Sequence, residues 1–139
     1  NTKYCNCSNT ACLFMRKERT KRNFSVTKYL ISFPASAMKH LSNEDLHAAS
    51  VASHAVVREA KDAGVWVFGG GINERVPSLM VSGDGTVINE TYPQTKEFDG
   101  GFTVLEVPTK EEAVMWAAKI AVSCRCAQEL REFHYNPES

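Results

Sequence analysis

The sequence feature that most constrains the fold is the segment 86–107, in which a polar loop separates two strand-like stretches. Thr86 to Asn89 is mostly β-branched and follows the turn signal Gly83-Asp84-Gly85, which predicts a hairpin with residues 78–82. The loop 89–97 is too polar for a buried strand. It combines an aromatic ring, a lysine, acidic groups and amides, side chains that can line a binding site.

A pair of glycines, Gly100-Gly101, joins this loop to the second stretch, Phe102 to Val107, which is apolar and β-branched. Glycine at the start of a strand permits a β-bulge or the close approach of another backbone segment. We therefore predict that the loop leaves one strand and returns to the next through a close backbone approach at this pair.

The same run resembles the signature of the YciI-like, or DGPF, family, approximately Asp-Gly-Pro-Phe-Ala-Glu-Thr-Lys-Glu followed shortly by Gly-Gly-Phe/Tyr. The chain keeps Thr95-Lys96-Glu97 and Gly100-Gly101-Phe102, with Tyr92 at the Phe position. It has Asn89 and Gln94 where the family prefers carboxylates, which weakens an acid or base role for the loop. The resemblance extends over residues 27 to about 135.

The first half of the domain is predicted from periodicity and capping signals. A strand extends from Val26 to Phe33 and ends at Pro34. A helix begins after Ser42, its predicted N-cap, and stops at Gly64. A second strand, 65–68, is predicted to end at the glycines 69–71.

The second half of the domain contains the hairpin, the strand 102–107, a second helix and a last strand. Thr109 and Glu112 form a predicted capping box for a second helix, whose buried stripe is Ala113, Trp116, Ala117 and Ile120. A last strand is predicted at 128–135. The order of elements predicts an α+β fold, a ferredoxin-like split β-α-β pattern with an inserted β-hairpin.

The predicted sheet has one face without a helix. Because the strands carry apolar residues at successive positions, roughly ten apolar side chains would be uncovered, more than a monomer usually exposes. We therefore expect a homodimer. The family resemblance implies the same arrangement, a dimeric α/β barrel in which two sheets face each other.

Charge and cysteine distribution divide the 139 residues into a tail, 1–25, and a YciI/DGPF-like domain, 26–139. The tail carries six Lys or Arg against one acid, so +5, and the domain carries ten against fifteen, so −5. We interpret the tail as disordered rather than nucleic-acid-binding, although basic arms do bind phosphate backbones. Five cysteines without zinc or disulfide spacing favour a reduced, cytoplasmic location, and no segment is typical of a membrane span.

His54 is the candidate catalytic residue. It lies seven residues after His47, which places both on one face of the first helix beside its apolar stripe. The resemblance implies an active-site role, since YciI-like relatives carry a histidine near this depth of helix one. The alternative is a solvated histidine at the rim of the fold.

Five further side chains are candidates for substrate binding because they bring an amide, a phenol or a charge to the ends of strands: Asn89, Tyr92, Lys96, Glu97 and Arg131. Lys96 and Glu97 could instead pair at the surface, and Arg131 could pair with Glu129 or Glu132. The histidines lack a local ligand pattern, so no metal site is predicted. Cys124 and Cys126 are interpreted as unreactive thiols at a helix end.

Two classes of function follow. The first is binding of a small metabolite followed by cofactor-free proton transfer, an elimination or isomerisation with His54 as base. The second is a non-catalytic ligand-binding or accessory dimer, which the missing carboxylates at Asn89 and Gln94 favour.

Overall fold

The computed structural model describes residues 25–139, so the predicted basic tail lies outside the described residues apart from Ser25. The described part has the predicted α+β order of elements. These are β1 (Thr27–Phe33), α1 (Asn43–Asp62), β2 (Trp66–Gly71), β3 (Met80–Val81), β4 (Val87–Ile88), β5 (Gly101–Val107), α2 (Lys110–Cys124) and β6 (Glu129–Glu132). Short 3₁₀ turns follow β1 (Ala35–Met38) and precede β5 (Pro93–Thr95).

The main sheet has the strand order β2-β5-β1-β6, with every neighbouring pair antiparallel. The strands next to each other in sequence are therefore not all neighbours in the sheet. This is the ferredoxin-like arrangement that the order of elements predicted. β3 and β4 form a separate two-stranded hairpin, also as predicted.

Both helices begin at the predicted caps. The Ser42 hydroxyl accepts a hydrogen bond from the Asp45 backbone N–H at 3.1 Å, and Thr109 accepts one from Glu112 at 3.2 Å. Each bond satisfies a backbone donor that has no partner within the helix. α1 ends before Gly64, whose φ of 73° is the left-handed conformation common after helices.

The core lies between α2, α1 and one face of the sheet. Alternate residues of β1 and β5 point towards the helices and are buried, among them Tyr29, Ile31, Leu105 and Val107. From α2 they meet Trp116 and its small neighbours, and from α1 they meet Ala60. The small side chains of α1 let this helix lie close to α2 and to the edge of the sheet.

Two expectations were wrong in detail. β2 does not stop before the glycines but continues to Gly71, because the backbone at 69–71 still pairs with β5. The uncovered sheet face is less apolar than predicted, because alternation along β1 and β5 sends Tyr29, Ile31 and Leu105 to the helix side, where Trp66, opposite Leu105, also lies. Its apolar side chains are Leu30, Phe68, Phe102 and Val104, and they stand among Lys28, Ser32, Glu106, Glu129 and Arg131.

Two ion pairs join the helices. Lys119 of α2 pairs with Glu59 of α1, and Arg125 at the end of α2 pairs with Asp45 in the first turn of α1. The pKa of Asp45 is lowered, first by the hydrogen bond from the Ser42 hydroxyl and then by Arg125. Arg125 has φ 56°, a left-handed conformation that is unfavourable for a residue with a Cβ.

Within the described residues, no helix is long and apolar enough to cross a membrane.

Gly100 is predicted to be the least replaceable glycine of the domain. A Cβ at this position would lie 1.9 Å from the Phe33 carbonyl oxygen and 2.7 Å from the Pro34 carbonyl carbon. Because backbone must move to make room, Gly100→Ala should lower the free energy of unfolding by more than about 2 kcal/mol. Gly70→Ala is the control, since its Cβ would meet nothing within 4 Å. Equal stability of the two variants in urea unfolding would contradict the close approach.

Asp45 is predicted to make stability depend on pH in the acid range. Because its folded pKa is lowered, its contribution is complete above the unfolded pKa of about 3.9 and is lost as pH falls through the folded pKa. Asp45→Asn should therefore destabilise the protein at pH 7, and the difference from wild type should shrink at pH 3. Urea unfolding across this range measures it. Asp62→Asn on the same helix is the control, and a difference independent of pH would refute the assignment.

Candidate functional site

A cavity of about 390 Å³ lies between the two helices and the covered face of the sheet. Its floor and walls are mostly apolar, with a small number of polar side chains at the α1 side and near the end of α2. Its lining includes Phe33, Ser53, His54, Lys61, Trp66, Thr103, Trp116, Cys124 and Gln128, together with the glycines Gly69, Gly71 and Gly101.

The cavity exists because three positions on the covered face carry no side chain. Gly69, Gly71 and Gly101 all point towards the helices, since Gly69 pairs with Thr103 and Gly71 with Gly101. Two aromatic rings lie on this bare backbone. A Cβ on Gly69 would lie 2.4 Å from the Trp66 ring, and one on Gly101 would lie 2.4 Å from the Phe33 ring.

A bulge in β2 sets the position of Trp66. The pairing with β5 passes from Trp66 opposite Leu105 directly to Phe68 opposite Val104, so Val67 is the extra residue. Trp66 and Gly69 consequently face the same side although they are three residues apart. The indole is therefore held over Gly69 and forms one wall of the cavity.

α1 supplies the polar side of the cavity. Ser53 and His54 lie near the middle of this helix, and Lys61 lies in its last turn, seven residues after His54 and so on the same face. The Lys61 ammonium is 5.8 Å from the centre of the Trp66 ring. A histidine and a lysine thus stand about 10 Å apart along the helix, at 1.5 Å per residue, beside one apolar space.

The end of α2 closes the far side of the cavity. Cys124 is the last residue of the helix and is buried, and burial raises the pKa of its thiol. The pKa of Cys126 is raised as well, first by burial and then by the neighbouring Cys124. A protonated thiol is a poor nucleophile, in line with the interpretation of both cysteines as unreactive.

The cavity contains one of the six predicted site residues, His54. Asn89, Tyr92, Lys96 and Glu97 lie in the exposed loop after β4, where Tyr92 precedes the short 3₁₀ turn and is 65% exposed. None of these four lines the cavity with His54. The loop returns to the sheet at the same end as the cavity, where Ala35 donates a backbone hydrogen bond to Asp99 at 3.1 Å.

Arg131 lies on the uncovered face of the sheet. Its guanidinium pairs with Glu129 at 2.6 Å and reaches the hydroxyl of buried Ser32 at 3.5 Å. The pairing with Glu129 is the alternative that the sequence left open. A ligand that contacts Arg131 would therefore lie on the opposite side of the sheet from His54.

In the part of the chain that the structure describes, no three His, Cys, Asp or Glu side chains come together in a way that could hold a metal ion.

A family model of the YCII-related domain matches residues 29–124, which extend from β1 to the last residue of α2. The chain belongs to the YCII-related domain family. No curated protein matches the chain. The matched range of the YCII-related domain includes His54 and the loop residues Asn89, Tyr92, Lys96 and Glu97, whereas Arg131 lies beyond it.

Sequence reasoning missed several residues of the cavity in this YCII-related domain. Lys61 could have been found, since it shares a helical face with His54 at a spacing of seven. Trp66 and Gly69 could not have been found in this way, because no sequence signal indicates the bulge that puts them on one face. The glycines 69–71 were assigned to a loop, which hid the bare strand that opens the cavity.

Proposed function

We propose that this YCII-related domain binds a small metabolite in the helix–sheet cavity and that His54 acts there as a general base in a cofactor-free proton transfer. The observation that carries the proposal is that His54, an exposed residue, lies at the rim of a mostly apolar cavity that it helps to line. The reaction class is an elimination or an isomerisation, in which a proton leaves a carbon atom of the bound metabolite.

The size and lining of the cavity support small-molecule binding. Ligand pockets are usually about 300 to 1,000 Å³, apolar, with a few polar groups that orient the ligand. A volume of about 390 Å³ lies at the small end of this range. Ser53 on α1, Thr103 on β5 and Gln128 just before β6 supply hydroxyl and amide groups from three directions, which favours a ligand held in one orientation.

The proton-transfer step needs only groups that this chain has. A neutral imidazole accepts a proton from a carbon atom of the metabolite, and in an isomerisation the imidazolium returns this proton to another atom. In an elimination the C–H electron pair forms the new double bond while the leaving group departs with its own bonding pair, and the imidazolium then releases the proton to water. Histidine suits this task because its unperturbed pKa is near neutrality. The mostly apolar lining beside His54 strengthens the electrostatic interactions of the charged intermediate.

A thermal-shift screen against small metabolites tests binding, because a ligand at 100 times its Kd adds about 2.7 kcal/mol of stability. Gly71→Val locates the site. A Cβ at Gly71 would meet nothing within 4 Å, and Gly71 lines the cavity, so valine there should narrow the cavity without backbone strain and abolish the shift. Gly83→Val in the hairpin turn is the control and should leave the shift unchanged. A shift that survives Gly71→Val places the ligand elsewhere.

His54→Gln is predicted to separate binding from catalysis. The variant keeps a polar side chain of similar size but loses the base, so a ligand found in the screen should still bind. Exchange of its acidic C–H proton with deuterium from D₂O, followed by NMR, should slow by about 10²- to 10⁴-fold. Exchange at the wild-type rate would show that His54 is not the base.

A non-catalytic binding domain is the second candidate. The observation that favours it is the separation of the predicted site residues, since Tyr92, Lys96 and Arg131 do not line the cavity with His54. A substrate held only by the cavity would meet none of the phenol, ammonium and guanidinium groups that were predicted to bind it beside His54. This candidate would be favoured by a ligand that binds in the cavity, as shown by its loss in Gly71→Val, but that exchanges no C–H proton with deuterium on the wild-type protein.

We also propose that two copies of the domain pair through the uncovered sheet face. Support comes from the aromatic residues there, since Phe68 is 65% exposed and the rings of Phe98 and Phe102 pack with centroids 4.5 Å apart. Leu30 and Val104 continue the apolar surface between them. Lys28, Glu106, Glu129 and Arg131 give the surrounding surface both charges, so two copies related by a two-fold axis can pair opposite signs.

Phe68→Lys is predicted to convert the dimer into a monomer, because it replaces the most exposed apolar side chain of the proposed interface with a charge. Sedimentation velocity at micromolar concentration measures the change. Val122→Lys is the control, since Val122 is 80% exposed on α2 and away from this face. A wild-type monomer, or a dimer that both variants retain, would contradict the proposed interface.

A further inference from the structure

We infer that the ligand of the helix–sheet cavity is a small aromatic carboxylate, whose carboxylate pairs with Lys61 and whose ring packs against Trp66. This inference rests on the proposed binding function and specifies the class of ligand. It follows from the charge and the aromatic content of the cavity lining.

The lining residues carry one kind of charge. Although the chain contains 16 Asp and Glu residues, none of them lines the cavity in the described part of the chain. Lys61 is its only Lys or Arg there, and His54 is its only other group that becomes cationic. A cationic ligand would find no counter-charge, whereas an anionic ligand would find one at a defined position.

The Lys61 ammonium group has hydrogen-bond donors that a ligand could use. An ammonium group has three N–H donors, and among residues 25–139 the Lys61 ammonium makes no ion pair and no hydrogen bond to the protein. Its position 5.8 Å from the centre of the Trp66 ring holds it beside the cavity without using those donors. Lys119 differs, because it stands 5.1 Å from the centre of the Trp116 ring but is paired with Glu59.

One cation favours a carboxylate over a phosphate. Phosphate sites use several backbone N–H groups at a helix N-terminus or a cluster of cations. Lys61 lies instead in the last turn of α1. A carboxylate carries one charge, which the Lys61 ammonium neutralises without further cations.

The remaining space fits a flat apolar group. Trp66 lies over Gly69, Phe33 lies over Gly101, and Trp116 closes the cavity from α2. Aromatic rings stack favourably on one another in offset or edge-to-face geometry. A ligand with its carboxylate at Lys61 extends along these rings towards His54, which places its other end beside the proposed base.

Phenylacetate and phenylacetamide test the inference, because they have nearly the same shape and differ in charge. Isothermal titration of the full chain should give a Kd for phenylacetate at least tenfold below that for phenylacetamide. Lys61→Met should remove this preference. Lys119→Met is the control, because it removes the ammonium group that stands over Trp116 instead, and it should keep the preference. Quenching of tryptophan fluorescence should accompany binding, because Trp66 and Trp116 line the cavity.

Other outcomes separate this inference from the proposed function. Equal Kd values for the two probes would overturn the carboxylate assignment. So would an equal loss of the preference for phenylacetate in Lys61→Met and Lys119→Met. No binding of either probe would overturn the aromatic carboxylate class, while the cavity remains the binding site if Gly71→Val abolishes the shift produced by another ligand. Failure of Gly71→Val to affect any ligand would instead overturn the proposed function.

Discussion

The close contact between the backbone at Gly100 and the end of β1 is the constraint on which the rest of the structure depends. A Cβ at Gly100 would overlap the Phe33 carbonyl oxygen, so the two segments can cross only where no side chain is present. The crossing fixes the pairing of Phe33 with Gly101 and therefore the register of β1 against β5. A slip of one residue would move every side chain of β5 to the other face of the sheet.

The cavity results from side chains that are absent rather than from a distortion of the fold. A ferredoxin-like domain normally fills the space between its helices and its sheet. Here β2 and β5 present glycine at Gly69, Gly71 and Gly101, and α1 presents small residues opposite them. Phe33 and Trp66 lie over two of these glycines, so the space that remains has aromatic walls and a backbone floor.

The sequence predicted the parts of the fold that local chemistry determines. Ser42 and Thr109 cap the helices as their spacing to Asp45 and Glu112 indicated, and the turn Gly83-Asp84-Gly85 joins β3 and β4. The family signature found in the residues agrees with the matched domain at 29–124. Each of these signals lies within a few residues of the structure that it specifies.

The features that sequence reasoning missed depend on contacts between distant segments. Trp66 faces the cavity because a bulge falls at Val67, and the bulge is a property of the pairing with β5 rather than of β2 alone. The placement of the loop 89–97 away from His54 likewise depends on how the chain returns to the sheet at Gly100. His54 was selected from its own helix, and its position on the cavity wall agrees with that choice without testing its role.

The two faces of the sheet carry different proposed functions, and β2 connects them. Its residues Trp66 and Phe68 stand on either side of the bulge, one in the cavity and the other on the uncovered face. Among residues 25–139, β2 is an edge strand and pairs only with β5, so it is held on one side. A ligand that displaces the Trp66 indole acts on the same short stretch of backbone that positions Phe68. The proposed ligand site and the proposed dimer face therefore share this stretch of β2, with Val67 between the side chain that serves each.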